Sequence, residues 1–169
     1  MDMKPKFIDY FMSIAETTSK LSYAQRLQVG SVLVKGNQII ATGYNGMPAD
    51  WSNVCETREE RVFDDPTVAE MLIEQGWTLD PDKNCVVYKL TTKPEVLHAE
   101  MNCLMKVARS TMSSEGATLF ITHAPCVECA KAIYQAGIST VYYKTAYRSS
   151  DGIDFLTKSG VNVNQYEQS

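Results

Sequence analysis

Two short stretches carry the groups that could do chemistry: His98-Ala99-Glu100 and Pro125-Cys126-Val127-Glu128-Cys129. Together they offer an imidazole, two thiols and a spare carboxyl group. A structural zinc site closes with four protein ligands, whereas a catalytic one keeps a position open for water. His98, Cys126 and Cys129 make three candidate ligands and leave that position open. Zinc lowers the pKa of a bound water toward neutrality. Glu100 is the carboxyl available to take and return protons. The expected chemistry is metal-assisted hydrolysis.

A closed structural site would need a fourth ligand, and His123 and Cys103 are the candidates. Cys103 follows His98 by five residues, about 140° around an ideal helix, and fits a small core residue better. His123 is the nearer in sequence to Cys126, but a four-ligand site leaves Glu100 unexplained. Cys55 and Cys85 lie apart from both stretches, in 49–94, and the chain has only two histidines in all.

The elements that must position these groups follow from periodicity. Residues 7–18 read as a helix, with Phe7, Phe11, Ile14 and Ala15 at helical spacing. Residues 19–27 read as a loop. Residues 29–34 and 38–43 read as strands joined by a tight Gly36-Asn37 turn, and 43–48 is turn-rich. Residues 49–94 are read as an insertion wrapped on one domain spanning 1–169. They hold one helix near 67–75, bracketed by Asp65-Pro66 and Asp80-Pro81, and are too short for a comfortable core of their own. Beyond them, helices are expected at 98–112, 126–136 and 152–158, and strands at 116–122, 140–143 and 161–166. Alternating strands and helices imply an α/β domain. His98 and Glu100 would diverge on a mid-helix surface, so both reach a metal only if it lies off the helix end. Helix N-termini expose N–H groups and positive dipole ends, which favour the thiolates zinc requires.

The 169 residues suit one core. No apolar run approaches the ~20 residues of a membrane span, and the first residues lack a signal-peptide core. A cytoplasmic setting is expected, in which five cysteines stay reduced. Net charge is −4 with mixed signs and no basic stripe, which argues against a polynucleotide partner.

H-x-E followed by P-C-x-x-C is the signature of the zinc nucleobase deaminases, and the chain resembles that superfamily at His98, Glu100, Pro125, Cys126 and Cys129. Further segments narrow the resemblance: 29–34, Gly43-Tyr44-Asn45-Gly46-Met47-Pro48, His98 to Asn102, 122–131, Ala136-Gly137-Ile138, Tyr147-Arg148 and Ser159-Gly160-Val161. These look like the deoxycytidylate deaminase family from about residue 19 to 163, with little to align in 49–94. The resemblance implies a cytidine-deaminase-like three-layer α/β/α sandwich with a five-stranded mixed central sheet. It implies conversion of dCMP to dUMP and ammonia, with zinc as cofactor. It also implies a homohexamer activated by dCTP with magnesium and inhibited by dTTP, and no membrane or nucleic-acid partner.

Carried onto this chain, the resemblance makes Asn45 a holder of the sugar hydroxyl; a turn asparagine is the plainer reading. Tyr147 would pack on the cytosine ring, Ala99 would line the substrate site, and Arg26 and Arg148 would take the 5′-phosphate, since arginine matches phosphate in a fork. Either arginine could equally be solvated surface. Lys20, Gly43, Tyr44 and Gly46 are the candidate effector residues. Arg109 is read as an interface residue or a plain surface one. Other zinc deaminases (tRNA adenosine, free cytidine, guanine, riboflavin-pathway) and a non-catalytic structural-zinc module are the competing readings.

Overall fold

The computed structural model describes residues 3–147 and 149–168. Its main sheet has five strands: β1 (Gly30–Lys35), β2 (Gln38–Tyr44), β6 (Thr118–His123), β7 (Thr140–Thr145) and β8 (Asn162–Gln165), in spatial order β2-β1-β6-β7-β8. β1 is antiparallel to both β2 and β6, while β6, β7 and β8 are parallel. The sheet is therefore mixed, as the resemblance implied.

Strand alternation decides which side chains face which layer. Val32, Val34 and Phe120 pack with Phe11, Met12 and Ala15 of α1 (Pro5–Ser19) on one face. Their neighbours Leu33, Leu119 and Ile121 point the other way. There they meet Cys103, Leu104 and Val107 of α3 (Ala99–Ala108), Ala130 and Ile133 of α4 (Val127–Gln135), and Leu156 of α5 (Asp151–Lys158). The result is three layers, one helix against three across the sheet. The β1–β2 turn has positive φ at both Gly36 (56°) and Asn37 (62°), the backbone of a two-residue hairpin loop.

Residues 49–94 depart from the expectation of one helix without a core. They form a separate antiparallel sheet, order β3-β5-β4, from β3 (Glu56–Val62), β4 (Thr78–Leu79) and β5 (Val86–Thr92), with α2 (Pro66–Glu74) beside it. Leu72, Trp77 and Val87, with Phe63, make a small core there. β3 is nearly all charged, so its pairing rests on cross-strand groups rather than on alternation. The Arg58 guanidinium stacks on Tyr88 (3.9 Å to the ring centre) and pairs with Asp80, and Arg61 stacks on Trp77 (4.4 Å). At the root of this sheet, Cys55 and Val96 pack with Ala24 of the 19–27 loop.

Two of the expected helices begin one residue later than the sequence suggested, by a rule that matters for the site. α3 begins at Ala99 and α4 at Val127, with His98 and Cys126 as the residues just before them in extended backbone (φ −72°, ψ 152° and φ −70°, ψ 166°). α3 also stops at Ala108 rather than Met112, where apolar periodicity ends at Val107.

Candidate metal centre and nucleotide cleft

A residue in extended backbone before a helix aims its side chain past the helix end rather than along its flank. His98 and Cys126 both do so, and Cys129 sits in the first turn of α4. The imidazole Nδ1 of His98 lies 3.6 Å from Cys126 Sγ and 3.4 Å from Cys129 Sγ. All three ligand atoms fall within 4.8 Å of one another. A sulfur and a nitrogen sharing one tetrahedral zinc, at bond lengths of about 2.3 and 2.05 Å, stand about 3.6 Å apart. The observed spacing matches, so the donor set fits zinc in both chemistry and geometry. Among the described residues this is the one group of its kind, and neither His123 nor Cys103 belongs to it. Among the described residues, no cluster of that kind includes Cys55, buried at the root of the small sheet, or the exposed Cys85.

Hydrogen bonds to β1 and β2 fix the end of α3. Ser31 Oγ donates to the Ala99 carbonyl (2.8 Å), Asn102 Nδ2 to that of Tyr44 (2.9 Å), and Lys106 Nζ to that of Thr42 (2.8 Å). Gly46 and Leu97 exchange backbone bonds just before His98. The other ligand helix follows β6 directly, and the bare backbone of Gly152 in α5 lies against Pro125, where a Cβ would stand 2.0 Å from its carbonyl oxygen.

Glu100, in the first turn of α3, is buried. Burial pushes its carboxyl up to about 7, against the pull of its own backbone N–H and the His98 imidazole. A dication beside it would draw it back down. The two thiols sit in contrasting electrostatic settings. Hydrogen bonds from Cys129 and His98 hold Cys126 down at about 3, and Cys129, hydrogen-bonded to Cys126 and buried, is pushed up. The same contact with Cys126 raises His98. A thiolate is thus favoured at the cluster before any cation adds its charge, and a cation would favour the second. His123 is shifted the other way, lowered by burial, with Nδ1 3.1 Å from Thr122 Oγ1. Burial raises the Cys103 thiol to about 11, in keeping with an inert core residue.

A cleft of about 470 Å³ opens at this cluster and is lined by His98, Ala99, Glu100 and Cys126. Arg26, Asn45 and Tyr147 line it too. Arg26 donates from Nη1 to Thr92 Oγ1 (3.0 Å), which leaves most of its fork directed elsewhere. Asn45 is more committed: Oδ1 accepts from Val29 N–H (2.8 Å) and Nδ2 donates to the Leu27 carbonyl (2.8 Å). Its φ is not positive, so it is a clamp on the 27–29 backbone rather than a left-handed turn residue. Arg148 lies outside the described residues.

The candidate effector residues fare unevenly. Lys20 is exposed, and Tyr44 and Gly46 are half-buried beside the cleft rather than in it. Gly43 is buried under α3, and a Cβ there would meet the Ala99 carbonyl oxygen at 2.2 Å and the Cys103 nitrogen at 2.6 Å. Helix-on-strand packing accounts for the glycine. Arg109 is the residue that ends α3.

The cleft also has walls that sequence reasoning missed, chiefly Glu56, Thr92 and Val96 from the root of the small sheet, with His123 and Leu27. Glu56 opens a run of mixed charge that extends to Arg61. Its burial depends on β3 pairing with β5, for which the run carries no signal.

The chain matches the family described as the cytidine and deoxycytidylate deaminase zinc-binding region over residues 5–145. It is 31% identical over 180 residues to the deoxycytidylate deaminase of Enterobacteria phage T4, covering 90% of this chain and 86% of that protein. It is 34% identical over 146 residues to the deoxycytidylate deaminase of Homo sapiens, covering 85% and 67%. Among solved structures it resembles the dCMP deaminase of cyanophage S-TIM5 in complex with dCMP and dUMP, with a TM-score of 0.77, 38% identity, and coverage of 98% of this chain and 100% of that one.

Proposed function

We propose that this chain, which belongs to the cytidine and deoxycytidylate deaminase family, hydrolyses dCMP to dUMP and ammonia. The observation that carries the reading is the His98, Cys126 and Cys129 set at zinc spacing, with the buried Glu100 carboxyl beside it and a nucleotide-sized cleft in front. The relatives named as deoxycytidylate deaminases, and the one solved with dCMP and dUMP, support the choice of substrate.

His98, Cys126 and Cys129 would hold the zinc, whose contribution is to bring the pKa of water toward neutrality. Glu100 takes a proton from the attacking water and places it on N3 of the cytosine as the oxygen bonds to C4. It then moves the remaining hydroxyl proton to the amine, the C4–N4 bond breaks, and ammonia leaves. Atoms balance with one water consumed, and the carboxyl ends as it began. Its burial removes competing solvent and keeps the proton within the site. The Ala99 N–H, at the first helical position, has no intrahelical acceptor and lines the cleft, where it suits the ring carbonyl O2. Tyr147 provides an apolar face for the ring, and Arg26, joined by Arg148, the cationic fork for the 5′-phosphate.

The proposal extends to a homohexamer in the cytoplasm, activated by dCTP with magnesium and inhibited by dTTP, with Lys20, Tyr44 and Gly46 near the effector. Five unpaired thiols suit a reducing compartment. The test follows the loss of cytosine absorbance with dCMP, dCTP and deoxycytidine, each with and without dCTP and magnesium as effector. Turnover of dCMP but not deoxycytidine supports the reading, and a sigmoidal dCMP curve that straightens with dCTP supports regulation. A zinc-loaded protein inert toward every cytosine nucleotide refutes it.

A further inference from the structure

Arg26, the fork proposed for the 5′-phosphate, rises from a loop and is exposed. A long side chain in such a place samples many rotamers, and ordering it on binding costs affinity. This one is held at both ends by a single cross-strand pair. Glu56 Oε1 accepts its backbone N–H (3.1 Å), along with that of Gln25 (3.0 Å). Thr92 Oγ1 accepts from its guanidinium Nη1 (3.0 Å). Glu56 and Thr92 stand directly opposite each other where β3 pairs with β5. Their side chains therefore share one face of the small sheet, and both line the cleft. Among the described residues the Thr92 hydroxyl is the one side chain bonded to the Arg26 guanidinium.

The kind of acceptor matters. A carboxylate at this place would neutralise the cation and compete with an incoming anion. A neutral hydroxyl fixes one N–H and leaves the charge and the other N–H donors of the fork for a phosphate. We propose that Thr92 is a positioning residue: its hydroxyl holds the Arg26 fork at the cleft and so sets affinity for the 5′-phosphate without touching the substrate. The assignment rests on the dCMP reading and on Arg26 as its phosphate group. It gives β5, whose last residue is Thr92, a part in substrate binding.

The test is a double-mutant cycle on the full, zinc-loaded chain: Thr92→Val, Arg26→Ala and the two together, with KM and kcat for dCMP followed by cytosine absorbance. Valine is close to threonine in shape and suits a strand, so the substitution removes the hydrogen bond and little else. The net worth of one hydrogen bond corresponds to about a two- to tenfold change in affinity. Thr92→Val should raise KM by about that factor with kcat unmoved, and Thr92→Ser should restore the wild-type KM. In the Arg26→Ala background Thr92→Val should add nothing. Thr92→Ala repeats the comparison if the valine variant does not fold. A KM unmoved by Thr92→Val while Arg26→Ala raises it overturns the assignment. So do losses that add in the double variant, the mark of a Thr92 that contacts substrate itself or serves only the fold. A serine variant as impaired as the valine one overturns it too. An Arg26→Ala protein with the wild-type KM takes Arg26 off the phosphate, and this inference falls with it while the dCMP reading stands. A wild type inert toward dCMP removes both.

Discussion

Adding one methyl group at Gly43 should disable the metal centre from behind. A Cβ there would stand 2.2 Å from the Ala99 carbonyl oxygen and 2.6 Å from the Cys103 nitrogen. Both are backbone atoms of α3, so no side-chain rotation relieves the clash. Restoring van der Waals separation requires the first turns of α3 to move by about 1 Å. Overpacking of this kind destabilises by about 1–3 kcal/mol. The same turns bear His98, Ala99 and Glu100, and a 1 Å misplacement of reacting groups costs about 10²-fold in rate. Gly43→Ala should therefore lower the urea midpoint and cut dCMP turnover by about two orders of magnitude. Gly46→Ala is the stability control: its nearest neighbour would be a Tyr44 ring carbon at 3.8 Å, an ordinary contact, so its midpoint should match the wild type. Measuring both midpoints by circular dichroism, with zinc content by metal analysis and turnover by cytosine absorbance, gives the answer. A Gly43→Ala protein as stable and as active as the wild type would refute the claim that bare backbone at this position sets the place of α3.

Other expectations concern the site itself. Glu100→Gln should keep the fold and its zinc but lose about 10²–10⁴ in kcat; full activity in that variant would remove Glu100 from the proton path. Cys126→Ser should lower zinc content and activity together, and a chelator should do the same to the wild type, reversibly on adding zinc; an apoprotein that still deaminates would contradict the metal assignment. Arg26→Ala should raise KM for dCMP by about tenfold or more with little effect on kcat; an unchanged KM would return Arg26 to the solvated surface.

The cluster of His98, Cys126 and Cys129 was readable because its chemistry is carried by residue type and its position by helix-start rules. A histidine two residues before a glutamate cannot share a helix face with it, and the observed extended backbone at His98 resolves that conflict as expected. The β1–β2 hairpin was legible in Gly36-Asn37 for similar reasons, since both residues tolerate positive φ. What stayed hidden depended on pairing between distant segments. β3 has charges where a strand should alternate, and only β5, whose Tyr88 stacks with Arg58, makes it a strand. Asn45 was ambiguous because its partners, Leu27 and Val29, lie in a loop whose path no local pattern dictates. Gly43 read as part of a turn-rich motif, when its cause is a helix lying on the other side of the strand.

The root of the small sheet is a hinge of a different kind, one in sequence length. β3 and β5 leave the cleft side by side with Glu56 opposite Thr92 and end with Val62 opposite Val86. Beyond that far end, stretches other than those bearing Trp77 and Asp80, which hold Arg61 and Arg58, can lengthen or shorten without altering what the cleft sees. A one-residue slip in either strand is different: side chains alternate with period two, so it would turn Glu56 to the opposite face. Chain length is therefore free at the tip and fixed at the base. A segment built mostly of exposed charge can thus drift in size while still delivering the same carboxylate to the same wall.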